Sequence, residues 1–84
     1  MSYKVIWHDE TISSLTLLII SATIDRAQLV EDSNRITELL SQSPRSQGVH
    51  LSEGLYVADI GRFRVTYCVN DDQHEVEISS IRMG

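Results

Sequence analysis

The chain has 84 residues, 42 % of them hydrophobic and 23 % charged, with seven Lys and Arg against twelve Asp and Glu and a net charge of −5 at pH 7. That length points to a single domain over residues 1–84, and the acidic balance argues against a nucleic-acid backbone as the main ligand, because cationic side chains supply most of that affinity. One cysteine excludes an internal disulfide, the longest apolar run (Leu17 to Ile20) is far short of the ~20 residues of a membrane helix, and no secretory leader pattern opens the chain. The expectation is a soluble, cytoplasmic protein with no membrane contact.

In chain order, Tyr3-Lys4-Val5-Ile6-Trp7 reads as a first strand, with Tyr3, Val5 and Trp7 on one face. Asp9 is a plausible N-cap for a first helix, and Glu10 suits the positive end of its dipole. Ile12, Leu15, Ile19 and Ala22 recur at helical spacing, bordered by Leu18, and form an apolar stripe. Leu17 and Ile20 fall off that stripe, towards the opposite side. Thr23 or Asp25 can cap a second helix running from Arg26 to about Gln42. Its Leu29, Ile36 and Leu40 share a face with small Ser33, while Glu31, Arg35 and Glu38 face water. Pro44 ends this helix, because proline disfavours helical geometry in the residue before it. Residues 44–54, bracketed by Gly48 and Gly54, read as a loop.

The last third carries the strongest pattern. Leu55 to Ile60 is a short apolar run closed by Gly61. Phe63, Val65, Tyr67 and Val69 then alternate with Arg62, Arg64, Thr66 and Cys68. Asn70-Asp71-Asp72-Gln73 favours a turn, and His74 to Ile81 alternates again, with Val76 and Ile78 expected opposite Tyr67 and Val65. The order is β-α-α-β-β-β: an α+β fold with a two-helix hairpin packed on a small, mostly antiparallel sheet.

This order and wording resemble the RelE/ParE superfamily of type II toxin–antitoxin, plasmid-stabilisation-like modules. The resemblance rests on the opening strand Tyr3 to Trp7, the helix end Leu39-Leu40-Ser41-Gln42-Ser43-Pro44, and the strand Gly61-Arg62-Phe63-Arg64-Val65-Thr66-Tyr67-Cys68-Val69. It implies a toxin held inactive by a bound antitoxin. It also implies one of two activities: ribosome-dependent mRNA cleavage through basic residues on the sheet, or poisoning of a protein target. Arg64 matches the family's strand arginine, and Arg82 lies near the basic residues that close the last strand. Departures accompany these matches. Val57 and Asp59 stand where ribonuclease members carry lysine or arginine, and only Met83 and Gly84 follow Arg82. The chain is therefore expected to be a divergent member that acts through protein binding, with its status as an enzyme leaning towards no. A non-toxic interaction module of the same fold is the alternative, and an endonuclease using Arg62, Arg64 and Arg82 the third reading.

Each candidate has a plainer reading. Arg62 and Arg64 share a strand face and could hold one anion, but pairing with Glu75 or Glu77 across the hairpin accounts for them better. Tyr67 suits the core better than catalysis, and Cys68 reads as a small buried or half-buried thiol. His8, Asp9 and Glu10 sit at a strand–helix junction without ligand spacing, so no metal or cofactor is expected. If the first helix packs through its stripe, Leu17 and Ile20 form an outward patch for an antitoxin or a second copy of the chain; the plainer reading has the second helix cover them.

Overall fold

A computed structural model describes residues 2–23 and 25–84. The elements are β1 (Lys4–Trp7), α1 (Asp9–Ser21), α2 (Arg26–Gln42), β2 (Val49–Ser52), β3 (Leu55–Ile60), β4 (Phe63–Asn70) and β5 (Glu75–Met83). The strands form one sheet in the order β1-β5-β4-β3-β2. All pairings are antiparallel except β1 with β5, which is parallel because the helical hairpin carries the chain across the sheet between them. The expected α+β architecture is therefore present, with one strand more than the sequence reading placed.

That additional strand is β2, inside the segment read as a loop. Val49 and Leu51 alternate with His50 and Ser52, but the run is only four residues long and all of it is exposed; the backbone ladder to β3 holds it. Gly48 just before it is required by close approach. A Cβ there would lie 2.5 Å from the Val57 carbonyl oxygen and 2.6 Å from the Tyr67 hydroxyl.

One face of the sheet is covered. Phe63, Val65, Tyr67, Val76 and Ile78 meet Leu29, Ile36 and Leu40 of α2 with no exposed surface. Full burial of side chains of this size contributes about 1.5–3 kcal/mol each. The period of α2 is as read, and Asp25 is its cap: the carboxylate accepts a bond from the Gln28 amide at 3.2 Å. Tyr3, Val5 and Trp7 pack on the core from β1, and the Trp7 indole donates to Thr37 Oγ1 at 2.9 Å.

α1 departs from the expectation in two ways. Its N-cap is His8, whose side chain makes no capping bond, so Asp9 and Glu10 both lie in the first turn. Its buried position is Thr11, while Ile12 is 45 % exposed. The Thr11 hydroxyl donates to the Ile78 carbonyl at 3.0 Å, near a slip in the β4–β5 register. This bond turns the packed stripe to Thr11, Leu15, Leu18, Ile19 and Ala22 and leaves Ile12 outside.

The β4–β5 hairpin is also offset from the expected pairing. Tyr67 lies opposite Ile78 and Val69 opposite Val76, while Val65 meets Ile81 beyond the irregularity. The reason is the turn: Asn70 is still paired, to Glu75, and His74 adopts φ 53°, so four residues close the hairpin. At the other end, Gly61 holds φ 60° in the β3–β4 turn, with Asp32 of α2 against it; Asp32 accepts the Arg62 backbone N–H at 3.2 Å and the Gln28 side-chain amide at 2.9 Å.

Candidate functional site: the open face of the sheet

Side chains on β3, β4 and β5 that do not enter the core line the opposite, uncovered face. Cross-strand register arranges them in rungs. Asp59, Arg64 and Arg82 form one rung across β3, β4 and β5. Val49, Val57, Thr66 and Ser80 form the next, and Leu55, Cys68 and Glu77 lie further on, with Ile6 beyond Glu77. The face runs from cationic near the β3–β4 turn, through a neutral and partly apolar middle, to acidic near the β4–β5 turn.

At the cationic end, an open groove of about 640 Å³ is lined by the apolar Val49, Leu51 and Val57, by Asp59, Arg64, Thr66 and Arg82, and by Ser46 and Gln47 of the α2–β2 connection. Arg64 Nε donates to Asp59 Oδ1 at 2.7 Å and Nη2 to Oδ2 at 3.2 Å, a two-point ion pair. The Arg64 hydrogen bonds and, more weakly, the charge of Arg82 hold the Asp59 carboxyl below its ordinary range; the same bonds raise Arg64. Among the described residues Arg82 has no hydrogen-bonded or ion-paired side chain.

The acidic end is lined by Glu53, Asp71, Asp72, Glu75 and Glu77 around Cys68. Arg45 enters it from the α2–β2 connection and ion-pairs with Asp71, which also accepts from the Tyr3 hydroxyl at 2.8 Å. Bonds from Arg45, then from Tyr3, keep the Asp71 carboxyl low. Arg45 also donates to the Tyr56 hydroxyl, whose ring is flanked by His50 and Tyr67. This network ties the start of β1, the α2–β2 connection, β3 and the β4–β5 turn together.

The candidate residues separate clearly. Arg64 and Arg82 are brought directly opposite each other. Arg62 is not with them: it lies in the turn outside β4 and does not line the groove, so the shared anion site of Arg62 and Arg64 does not form. Arg64 pairs with Asp59 rather than Glu75 or Glu77, because the β3–β4 register sets Asp59 opposite it, whereas Glu75 lies opposite Asn70 and Glu77 opposite Cys68. Cys68 is exposed rather than buried or half-buried, since no layer covers this face. Tyr67 is a core residue whose hydroxyl donates to the Pro44 carbonyl at 2.6 Å, and burial pushes its pKa up to about 12. His8 stands 4.0 Å from Glu77, and among the described residues no three His, Cys, Asp or Glu side chains converge as metal ligands. Leu17 and Ile20 are 64 % and 61 % exposed, so α2 does not cover them.

The sequence reading missed the role of Asp59 and the apolar wall of β2. Asp59 is legible, because a two-residue turn at Gly61 and Arg62 sets it, five residues before Arg64, directly opposite that arginine; the wall requires knowing that β2 is a strand.

This fold and its open-faced sheet define a class: the chain has the fold of the RelE toxins. It matches a chain of a RelBE toxin–antitoxin complex from Mycobacterium tuberculosis with a TM-score of 0.79 at 19 % identity, covering 100 % of both chains. A chain of an archaeal RelE–RelB complex from Pyrococcus horikoshii matches at TM-score 0.72 and 20 % identity, covering 99 % of this chain and 96 % of that one. A mutant of E. coli toxin RelE in the free state matches at 0.71 and 14 % identity, covering 99 % and 84 %. No protein-family model and no curated protein matches the chain. Among the described residues no helix is long and apolar enough to cross a membrane.

Proposed function

We propose that the protein is a divergent RelE-like toxin component of a plasmid-stabilisation-type toxin–antitoxin module, acting in the cytoplasm through protein binding rather than RNA cleavage. The observation that carries this reading is the composition of the groove. Its one lining carboxylate, Asp59, is engaged by Arg64 and held at low pKa, which makes it a poor proton acceptor for RNA cleavage. Its lining also holds the apolar Val49, Leu51 and Val57, and apolar side chains beside a few charged groups suit a protein segment. An antitoxin is the partner, and the exposed Leu17 and Ile20 on α1 offer it, or a second copy of the chain, an apolar contact.

One observation favours a second reading, the endonuclease. Arg64 and Arg82 are neighbours on the sheet and together could stabilise charge developing on a phosphate. Tightly induced expression in a bacterial host, followed by growth and by mapping of mRNA ends, separates the two. Growth arrest without new mRNA ends is expected. New ends made by the wild type and lost in the Arg64→Ala, Arg82→Ala variant would replace the binding reading with the nuclease. Absence of arrest, together with failure of the product of an adjacent short reading frame to co-purify, would turn the assignment to a non-toxic module.

A further inference from the structure

Two guanidinium groups occupy directly opposed positions on β4 and β5, an arrangement that is unfavourable unless an anion lies near both. Here that anion is part of the chain. Asp59 sits opposite Arg64 on the other side, and its two oxygens take the Nε and Nη2 hydrogens in the fork geometry by which arginine binds carboxylate and phosphate alike. Asp59 thus fills the position a phosphate oxygen pair would take on Arg64, with Arg82 alongside.

We propose that Asp59 is a specificity determinant of the groove: as a resident anion on Arg64, it excludes phosphodiesters from what would otherwise be a two-arginine phosphate site. This inference rests on the assignment of the groove as the functional site, and deepens it by naming the residue that sets its ligand class. The physical cause has two parts. A tethered carboxylate competes at high effective concentration for Arg64. Its charge also repels an incoming phosphate that would have to sit beside it, on a protein that is acidic overall. Removing the charge at Asp59 leaves two adjacent arginines with no carboxylate among the described residues that line the groove.

The test is fluorescence anisotropy of a short labelled single-stranded RNA at low ionic strength, using the full-length chain. The variants are Asp59→Asn, Asp59→Ser, Glu53→Gln and Asp59→Asn with Arg64→Ala, each checked by circular dichroism. Glu53→Gln removes one negative charge at the far end of the same face and controls for overall charge. Asp59→Asn is expected to bind the RNA about tenfold more tightly than wild type, and Glu53→Gln by less than about threefold, because screening limits long-range effects. The gain should disappear in the Asp59→Asn, Arg64→Ala variant. Asp59→Ser repeats the measurement without the amide, so a folding defect in one variant leaves the other to decide. Equal gains for Asp59→Asn and Glu53→Gln, a gain that survives loss of Arg64, or wild-type binding already as tight as Asp59→Asn would each overturn the proposal. These readouts involve neither growth arrest nor partner capture, so the outcome is separate from that of the toxin assignment.

Discussion

The two faces of the sheet are built from the same strands yet obey different rules. On the covered face every partner is determined: Phe63, Val65 and Tyr67 are enclosed, and the one hydroxyl they bring inside is satisfied by the Pro44 carbonyl. On the open face, charge is sorted along the strands into a cationic and an acidic end, and Arg82 lacks a side-chain partner among the described residues. A core tolerates no such surplus, because unpaired polar groups in it cost too much. The open face keeps it because water or a ligand can complete it. The difference teaches that alternate residues of β4 meet different demands, close packing at the odd positions and a charged or polar open surface at the even ones.

The strongest way to break that comparison is at Phe63. Phe63→Ala should cost about 3–5 kcal/mol in urea unfolding, enough to bring a domain with a total of about 5–15 kcal/mol close to unfolding. A cost below about 1 kcal/mol would mean the covered face is not the core. Tyr67→Phe is next: it leaves the Pro44 carbonyl unpaired and should cost roughly 1–2 kcal/mol. It also isolates a pH effect. Burial favours the neutral phenol in the folded state and raises its pKa from 10.0 to about 12. The resulting stability is complete below the unfolded value and is lost as pH rises through that interval. Wild type should weaken between pH 10 and 12 by more than Tyr67→Phe does, in parallel urea titrations.

Gly61→Ala sharpens the link between the faces, since a Cβ there would meet Asp32 Cγ at 2.3 Å while the backbone stays at φ 60°. A loss of about 1–2 kcal/mol is expected, measured by thermal melting. The smallest effects belong to the open face. Cys68→Ser should stay within about 0.5 kcal/mol of wild type. Arg64→Ala with Arg82→Ala should leave the urea midpoint in place while changing partner capture or growth arrest. Pronounced unfolding of this double variant would erase the division between the faces.

The comparison also explains how far the sequence could be read. The strict alternation of β4 identified both faces, because one of them is buried and burial forces a period of two. Leu29, Ile36 and Leu40 were legible for the same reason at helical spacing. The α1 stripe holds at Leu15, Leu18, Ile19 and Ala22 and differs only in the first turn, where Thr11 replaces the more hydrophobic Ile12 because its hydroxyl bonds the Ile78 carbonyl. β2 alternates too, Val49 and Leu51 against His50 and Ser52, but four residues between Gly48 and Gly54 are too few to distinguish a strand from a loop. The hairpin register was missed because the turn takes in His74 in a left-handed conformation, which alternation does not record.

By itself the sequence determined the order of the elements other than β2, the core face of each long strand, a cap for α2 at Thr23 or Asp25, and an arginine, Arg64, on the polar face of β4. Those are local quantities, set by periodicity and turn chemistry between residues near one another in the chain. The tertiary structure alone decided that Arg82 returns to lie against Arg64 while Arg62 is left outside, and that an apolar edge strand walls the groove. It also decided that Asp59, rather than a glutamate of β5, holds the arginine. These facts depend on strand register and on which edges remain uncovered. Both are settled only when loop closure and core packing are satisfied at once.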